Sequence, residues 1–452
     1  MKFVKCLMTA GVIFGSSYLF ASSTVQEEAS QWFGMYLKDQ KVGYTQIETQ
    51  PIADGYKISE LTYIELDMMG TKRNLKSISQ YEVNKDFELK NFTFNLETEA
   101  QKMLIRGEIK QNNFNLSINT GGKIETKTIP ITSPIFPVSV LPMIANKFTR
   151  TSQKLQVFDP SIQSVSTADC ELVETKGDSI NVKVMMLNSP STMWVNKKGE
   201  MLSQNQPMGI TVKKESKEKA IKIGKVSPEI LTLYKVPTNI EIKNARDISL
   251  LKMLVNVKVV VNEQQRWFGD TLLIETRGPT SGGPFELSNR RPDSVNKYLK
   301  PTTFIQSKDK RIIKQAKEIV GFTKTPWKKV VKLTNWVSEN VKDMPTVTIP
   351  SALDVLNTME GDCGEHSILF AALARASKIP TDVVVGIVYT QDGFYYHAWN
   401  KVWVGRWVEV DPTFNQPIAD AAHIILAEGG LEEQAKIMEL VDKIKIQILE
   451  YK

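Results

Sequence analysis

The sequence predicts an α+β protein, in which a long strand-rich region precedes a C-terminal domain of helices and antiparallel strands. Apolar and polar residues alternate at period two between about residues 30 and 215, as in Phe92–Leu96, and this pattern is typical of half-buried antiparallel strands. After about residue 307 the apolar residues follow helical spacing, as in Trp327–Val341. The β-prone run Val383–Tyr389 then indicates a return to strands.

Length and composition place the chain among multidomain globular proteins. Its 452 residues allow two to four domains, and 42% of them are hydrophobic, which is enough for each domain to bury a core. The net charge of +7 is spread along the chain, so no basic stripe indicates a nucleic-acid partner. The sequence predicts neither a bound cofactor nor a metal centre.

Residues 1–23 have the features of a secretory signal peptide. Lys2 and Lys5 supply a basic start, an apolar stretch runs from Cys6 to Phe20, and small residues follow at Ala21–Ser23. The stretch is short for a transmembrane helix, although an uncleaved anchor is the alternative interpretation. We therefore expect an exported, periplasmic bacterial protein with no stable membrane span after cleavage.

The rest of the chain divides into three predicted regions. A β-rich accessory region covers residues 24–225, and its strands form either one large curved sheet or two smaller sheets. The charge-dense segment Lys213–Lys225 at its end is predicted to be a solvated linker or a short exposed helix. A small β-rich module covers residues 226–300, and a C-terminal α+β domain is expected at residues 301–452.

Cys363 lies at the start of a predicted helix that ends before Ile379-Pro380. Asp362 is expected to cap this helix, which places Cys363 in the first turn. The N–H groups and the dipole at that end favour a thiolate, and the same N–H groups can stabilise the oxyanion of a tetrahedral intermediate. The position therefore suits a nucleophile, whereas the alternative is a small buried packing residue.

Downstream, two predicted strands carry a histidine and a carboxylate. After the hairpin signal at Asp392-Gly393, the strand Phe394–Val404 carries His397, and the next strand ends at Asp411. A thiol, an imidazole and a carboxylate are the components of an activated sulfur nucleophile, with His397 as the base for Cys363 and Asp411 orienting the imidazole. The alternatives are a structural role for His397 and a turn-forming role for Asp411.

The loop at Gly405-Arg406 decides whether His397 and Asp411 share a face of the sheet. A strict two-residue loop would point the two side chains to opposite faces, because side chains alternate along a strand. A three-residue loop that closes Trp403 on Trp407 puts them on the same face as diagonal neighbours. Since Asp411 can orient the His397 imidazole only from the same face, we predict an odd-length turn or a bulge near Gly405.

Other arrangements of the same side chains stay open. His366 lies one helical turn from Cys363 and is a rival base. A disulfide with Cys170 would consume the nucleophile in an oxidising compartment. Zinc binding lacks the paired spacing of zinc motifs, and its ligands would be Cys363, His366, His397 and Asp411. His423 receives no role from the sequence.

Four motifs resemble those of the transglutaminase-like superfamily. They lie within about residues 352–415 and comprise Gly361–His366, Arg375–Pro380, His397–Trp399 and Trp407–Thr413. The resemblance implies a papain-like α+β core. The β-rich N-terminal region looks like the accessory part of exported bacterial members.

The resemblance also implies that Cys363, His397 and Asp411 match the catalytic triad of the family. The superfamily contains calcium-dependent protein cross-linkers, proteases, peptide N-glycanases and inactive members, and no acidic loop here resembles a calcium site. We therefore expect a peptidase or amidase that acts on peptide or isopeptide bonds of a protein or peptide substrate through a thioester. The alternatives are a protein-glutamine transglutaminase and a catalytically silent envelope binding or assembly protein.

Overall fold

The computed structural model of the protein separates into two compact units, one ending at Glu229 and one spanning Ile230–Lys452. The predicted signal peptide at residues 1–23 lies outside the described residues. Those residues are 30–68, 71–99, 101–186, 189–224, 235–276, 292–344, 351–429 and 443–452.

The N-terminal unit is built almost entirely of strands. They are β1 (Ser30–Leu37), β2 (Gln40–Ile52), β3 (Gly55–Met68), β4 (Thr71–Val83), β5 (Leu89–Thr98), β6 (Lys102–Lys110), β7 (Asn113–Thr120), β8 (Lys123–Pro130), β9 (Ile135–Pro137), β10 (Gln153–Asp159), β11 (Ser164–Lys176), β12 (Ser179–Met186), β13 (Ser189–Asn196), β14 (Met201–Gln206) and β15 (Ile210–Glu215). The short helices are α1 (Leu141–Ile144), α2 (Lys217–Ala220) and the 3-10 turns Val138–Val140, Ala145–Lys147 and Pro207–Gly209.

Among the described residues of this unit, all fifteen strands belong to one sheet. Strand β1 pairs with both β2 and β15, so the chain builds the sheet outward to β8 on one side and returns from β9 to β15 on the other. The pairing is antiparallel except between β9 and β10. Of the two arrangements that the sequence left open, the structure has the single sheet.

The sheet is curved, because side chains on distant strands meet. The ring of Phe158 on β10 lies 4.7 Å from the rings of both Phe92 on β5 and Phe114 on β7, measured between centroids. All three are buried, as are the other apolar positions of the alternating segments on β5 and β7. The period-two pattern therefore corresponds to one buried face of the sheet.

In its described residues, the C-terminal unit combines helices with two four-stranded sheets and one short parallel pair. The helices are α3 (Lys310–Val320), α4 (Pro326–Asn340), α5 (Ala352–Thr358), α6 (Cys363–Ala376) and the 3-10 segment Asp293–Leu299. The strands are β16 (Leu250–Val255), β17 (Gln265–Phe268), β18 (Thr271–Glu275), β19 (Lys342–Asp343), β20 (Glu360–Gly361), β21 (Thr381–Thr390), β22 (Gly393–Trp403), β23 (Trp407–Val410), β24 (His423–Glu428) and β25 (Ile446–Tyr451).

In one of the two sheets, strands that are far apart in the sequence lie side by side. One sheet has the order β23-β22-β21-β24, and the other has the order β17-β18-β16-β25. In the second sheet the C-terminal strand β25 pairs with β16, from the interval predicted as a small β-module. Among the described helices, none is long and apolar enough to cross a lipid bilayer.

Helix α6 lies at the centre of the C-terminal core. Apart from Ile368 and Ala376, every residue from Cys363 to Ala376 is buried, because helices α3–α5 and strands β21 and β22 surround it. Burial therefore extends around almost the whole circumference of this helix. The abundance of alanine on α6 allows this close approach of its neighbours.

Gly386 on the central strand β21 allows β24 to approach, which generates a first prediction. A Cβ at this position would lie 1.9 Å from the backbone oxygen of Ile424 and 2.9 Å from the Trp399 ring. We expect Gly386→Ala to lower the free energy of unfolding by about 1–3 kcal/mol or more in chemical denaturation. The control is Gly224→Ala, where a Cβ meets nothing within 4 Å. Equal stability of the two variants would contradict this account.

Candidate active site

Cys363 is the first residue of α6, and the residue before it caps the helix as predicted. Asp362 Oδ1 accepts a hydrogen bond of 2.9 Å from the Gly364 N–H, and Glu365 Oε2 accepts one of 2.9 Å from the Asp362 N–H. The Glu365 N–H also donates to the Asp362 side chain, which completes a capping box. Two of the N–H groups that the sequence offered to an oxyanion therefore bind the capping carboxylate instead.

Ser367 links the first turn of α6 to strand β22. Its hydroxyl lies 2.6 Å from the Cys363 carbonyl oxygen and 3.0 Å from the Ala398 carbonyl oxygen. The Asn400 side-chain amide donates a bond of 3.0 Å to the Ser367 carbonyl. Since Ala398 follows His397 directly, these bonds hold the start of the helix against the part of β22 that carries the histidine.

His397 and Asp411 are hydrogen-bonded to each other through His397 Nε2 and Asp411 Oδ2. Both side chains are buried, with Asp411 0% exposed and His397 2% exposed. The other oxygen, Asp411 Oδ1, accepts from the N–H groups of Thr413 at 2.8 Å and Phe414 at 3.2 Å. Asp411 therefore also shapes the turn that follows it, so both roles considered for this residue are present on different oxygen atoms.

The loop before β23 has the odd length that this contact requires. Trp403 pairs with Trp407, which leaves three residues in the loop, and Gly405 adopts a positive φ of 98°. The predicted register is confirmed. The preceding hairpin is also confirmed, although its two-residue turn is Gln391-Asp392, one position earlier than the sequence signal.

Aromatic rings enclose the imidazole of His397. The ring centroid of Phe414 lies 4.9 Å away and that of Trp399 lies 5.7 Å away. The Trp399 indole N–H donates to Glu409 Oε2 at 2.9 Å, and Asn262 donates to the other oxygen of Glu409 at 3.1 Å. Burial raises the pKa of the Glu409 carboxyl above its ordinary value, although these hydrogen bonds and the charge of His423 oppose the shift.

His423 is the residue of this site that sequence reasoning missed. Its Nε2 lies 3.0 Å from Asp411 Oδ2, and its Nδ1 lies 3.0 Å from Asp420 Oδ1. Asp420 in turn accepts from the Gln416 side-chain amide at 2.8 Å and lies 3.2 Å from an Arg246 guanidinium nitrogen. The sequence shows Asp420 three positions before His423. This spacing alone did not indicate that His423 also contacts Asp411.

The charges of this cluster stabilise one another. Burial alone would raise the pKa of the Asp411 carboxyl, but the charge of His397 and hydrogen bonds from both histidines hold it well below its ordinary value. Burial alone would lower the pKa of His423, but the carboxylates of Asp420 and Asp411 raise it to about 9. His423 is therefore an imidazolium at neutral pH, and Asp411 is a carboxylate.

The structure also places the other residues that the sequence had singled out. His366 Nδ1 lies 2.7 Å from the Asp362 carbonyl oxygen and its Nε2 lies 3.1 Å from the Val341 carbonyl oxygen, so neither nitrogen of this rival base is directed to the thiol. Neither Cys363 nor Cys170 is part of a disulfide among the described residues. Burial raises the pKa of the Cys170 thiol to about 12, which makes it a poor nucleophile.

Among the described residues, one group has the composition of a metal site. The donor atoms of His397, Asp411 and His423 lie within 4.8 Å of one another, a set that differs from the zinc ligands weighed from the sequence. Both imidazoles direct Nε2 at the same carboxylate oxygen, so in this arrangement each of these nitrogens faces a hydrogen-bond acceptor.

The buried charges predict how stability depends on pH. The pKa of His423 in the folded protein is about 9, above the ordinary value of about 6.5. The protonated ring therefore adds to the free energy of unfolding in full below about pH 6.5, and this stabilisation is lost as the pH rises to about 9. The same shift corresponds to about 3 kcal/mol at most. Calorimetric unfolding should therefore show a steeper loss of stability over this range for the wild type than for His423→Gln. Parallel curves would contradict the assignment.

One comparison with known proteins covers the part of the chain that contains these residues. Residues 313–412 match the family model of the transglutaminase-like superfamily, and this range contains Cys363, His397 and Asp411. No curated protein matches the chain.

Several solved structures are similar to parts of the chain. A candidate cysteine protease from Cytophaga hutchinsonii has 17% identity, covers 45% of this chain and 86% of that chain, and gives a TM-score of 0.31. A barrel-like protein of a domain family of unknown function from Brucella abortus has 11% identity. It covers 41% of this chain and 94% of that chain, and gives a TM-score of 0.33. A candidate protease from Parabacteroides distasonis has 12% identity. It covers 72% of this chain and 68% of that chain, and gives a TM-score of 0.20.

All three TM-scores are below 0.5, the range in which superposition of whole chains does not establish a common fold. The family model is therefore the comparison that bears on the site. Its match confirms the resemblance seen in the four motifs: residues 313–412 of this chain carry a transglutaminase-like core.

Proposed function

We propose that this protein is a cysteine-dependent acyl-transfer enzyme that hydrolyses peptide or isopeptide bonds, with Cys363, His397 and Asp411 as its catalytic residues. The observation that carries the proposal is the buried hydrogen bond between His397 Nε2 and Asp411 Oδ2, beside a helix that begins with Cys363. The transglutaminase-like core supports cysteine-based enzyme chemistry in general, and the cleavage of peptide or isopeptide bonds is the proposed refinement.

In the proposed reaction, His397 and Cys363 exchange one proton. Since Asp411 occupies His397 Nε2, the nitrogen that accepts the thiol proton is Nδ1. The sulfur attacks the substrate carbonyl carbon, and the carbon–nitrogen bond breaks as the imidazolium protonates the leaving amine. Water then attacks the thioester with His397 as the base, which releases the acid and restores the thiol.

We propose a papain-like arrangement for this core. The support is that the nucleophile begins a buried helix, α6, while the histidine and the carboxylate lie on or just after strands of the antiparallel sheet against which that helix packs. In such an arrangement two rigid elements hold the reacting groups, which favours catalytic precision.

We also propose that the protein acts after export, in the bacterial periplasm. The support is the sequence of residues 1–23, with its basic start, its apolar stretch and its small residues. Since that compartment is oxidising, a reactive thiol there benefits from a second cysteine that is buried and poorly nucleophilic, as Cys170 is.

Labelling with a small thiol electrophile tests the nucleophile. We expect stoichiometric reaction at Cys363 near neutral pH, loss of reaction in Cys363→Ala, and a rate reduced by roughly tenfold or more in His397→Ala, because the base is gone. Peptide mass mapping locates the adduct. The matched control is Cys170→Ala, which should label like the wild type because that thiol is buried and has a pKa of about 12. Folded wild-type protein that does not react would instead favour a catalytically silent binding protein.

Incubation with a peptide library and a primary amine separates hydrolysis from transfer. We expect the products to gain the elements of water with the amine absent from them, because the proposed thioester is resolved by water. The products are read by mass spectrometry, with Cys363→Ala as the control for background cleavage. Incorporation of the amine at glutamine side chains would show that the transglutaminase alternative is correct.

A further inference from the structure

We propose that His423 is a positioning residue of the active site, a buried imidazolium that holds Asp411 against His397 and makes His397 a better proton donor to the leaving amine. This inference rests on the function proposed above. It concerns a residue outside the matched range 313–412, brought to the site by strand β24.

With the carboxyl groups of Asp411 and Asp420 ionised, as their lowered pKa values indicate, the hydrogen-bond geometry places a positive charge on His423. Its Nε2 lies 3.0 Å from Asp411 Oδ2, and its Nδ1 lies 3.0 Å from Asp420 Oδ1. An ionised carboxylate only accepts hydrogen bonds, so each ring nitrogen must carry a proton to satisfy its partner. A ring protonated at both nitrogens is a cation. The raised pKa of His423, about 9, agrees with this geometry.

Charged and titratable groups face His423 from every side of the cluster. Asp411 and Asp420 are hydrogen-bonded to it, and the His397 ring centroid lies 5.7 Å from its own. The positive charge of His423 lowers the pKa of Glu409 on β23, against the effect of burial. Arg246 forms an ion pair with Asp420. Three carboxyl groups, those of Asp411, Asp420 and Glu409, and the cation Arg246 thus surround His423.

The positive charge of His423 changes how strongly Asp411 stabilises the protonated form of His397. A carboxylate that faces a single imidazole stabilises the protonated form of that ring. At neutral pH Asp411 Oδ2 already accepts from the protonated His423, and that cation repels a second positive charge on His397, whose ring centroid lies 5.7 Å away. His397 therefore holds its proton less strongly than in a three-residue triad, which favours transfer of the proton to the departing amine.

Nitrogen-15 NMR of histidine-labelled full-length protein tests the charge directly. The chain has three histidines, so two single variants assign all the signals. At pH 7 we expect both His423 nitrogens to be protonated. Asp420→Asn removes one carboxylate partner and should lower the pKa of His423. His366, which contacts backbone carbonyl oxygens, serves as the internal control and should keep its signals.

The variant His423→Gln tests the effect on His397, because the amide can still donate to Asp411 but carries no charge. We expect the His397 titration and the basic limb of kcat/KM to move together to higher pH, by about one pH unit. The effect should fall on kcat, with KM nearly unchanged, since His423 does not contact substrate. A residue with a merely structural role would lower activity without moving the pH profile.

Each outcome decides one of the two proposals. A single protonated nitrogen on His423 at pH 7, or an unshifted profile in a folded, active His423→Gln, overturns this inference. If that variant does not fold, the NMR of the wild type and of Asp420→Asn still decides the charge. A wild-type protein that shows the doubly protonated His423 but neither reacts with the electrophile nor cleaves peptides contradicts the proposed function, while the charge assignment stands.

Discussion

The buried carboxylate of Asp411 is the group on which the arrangement of this site depends. It is fully buried, and an ionised carboxylate in such a place is costly unless hydrogen bonds and opposite charge compensate for the lost water. Both requirements are met, because one oxygen accepts from two imidazoles and the other from two backbone N–H groups. These bonds fix the rotamer of Asp411, and Asp411 in turn fixes the ring of His397.

Local features of the chain bring the proposed reacting groups together on rigid elements. The capping box defines where α6 begins, and Ser367 ties that first turn to the backbone of β22. The three-residue loop then sets the register of β23 so that Asp411 falls on the same face as His397. Each of these features is worth little in free energy alone, but together they leave the side chains few alternative positions.

The cluster around His423 gives the site a second layer of charge. A catalytic carboxylate that faces one histidine tends to hold that histidine protonated. Here a second imidazolium, itself stabilised by Asp420, shares the carboxylate. Buried charged groups of opposite sign that lie this close are strongly coupled, so the protonation of His397 is a property of the whole cluster.

The sequence by itself determined the features that depend on neighbouring residues: the N-cap at Asp362, the start of α6 at Cys363 and the alternating strands. Their physical causes, capping and side-chain alternation, act within a few positions. The odd loop at Gly405 was predicted from the condition that His397 and Asp411 share a face, and the structure has it. Only the tertiary structure decided that fifteen strands form one sheet, that β25 pairs with β16 and that His423 reaches Asp411. These contacts join distant segments, and they depend on how strands and side chains pack in three dimensions, which spacing along the chain does not specify.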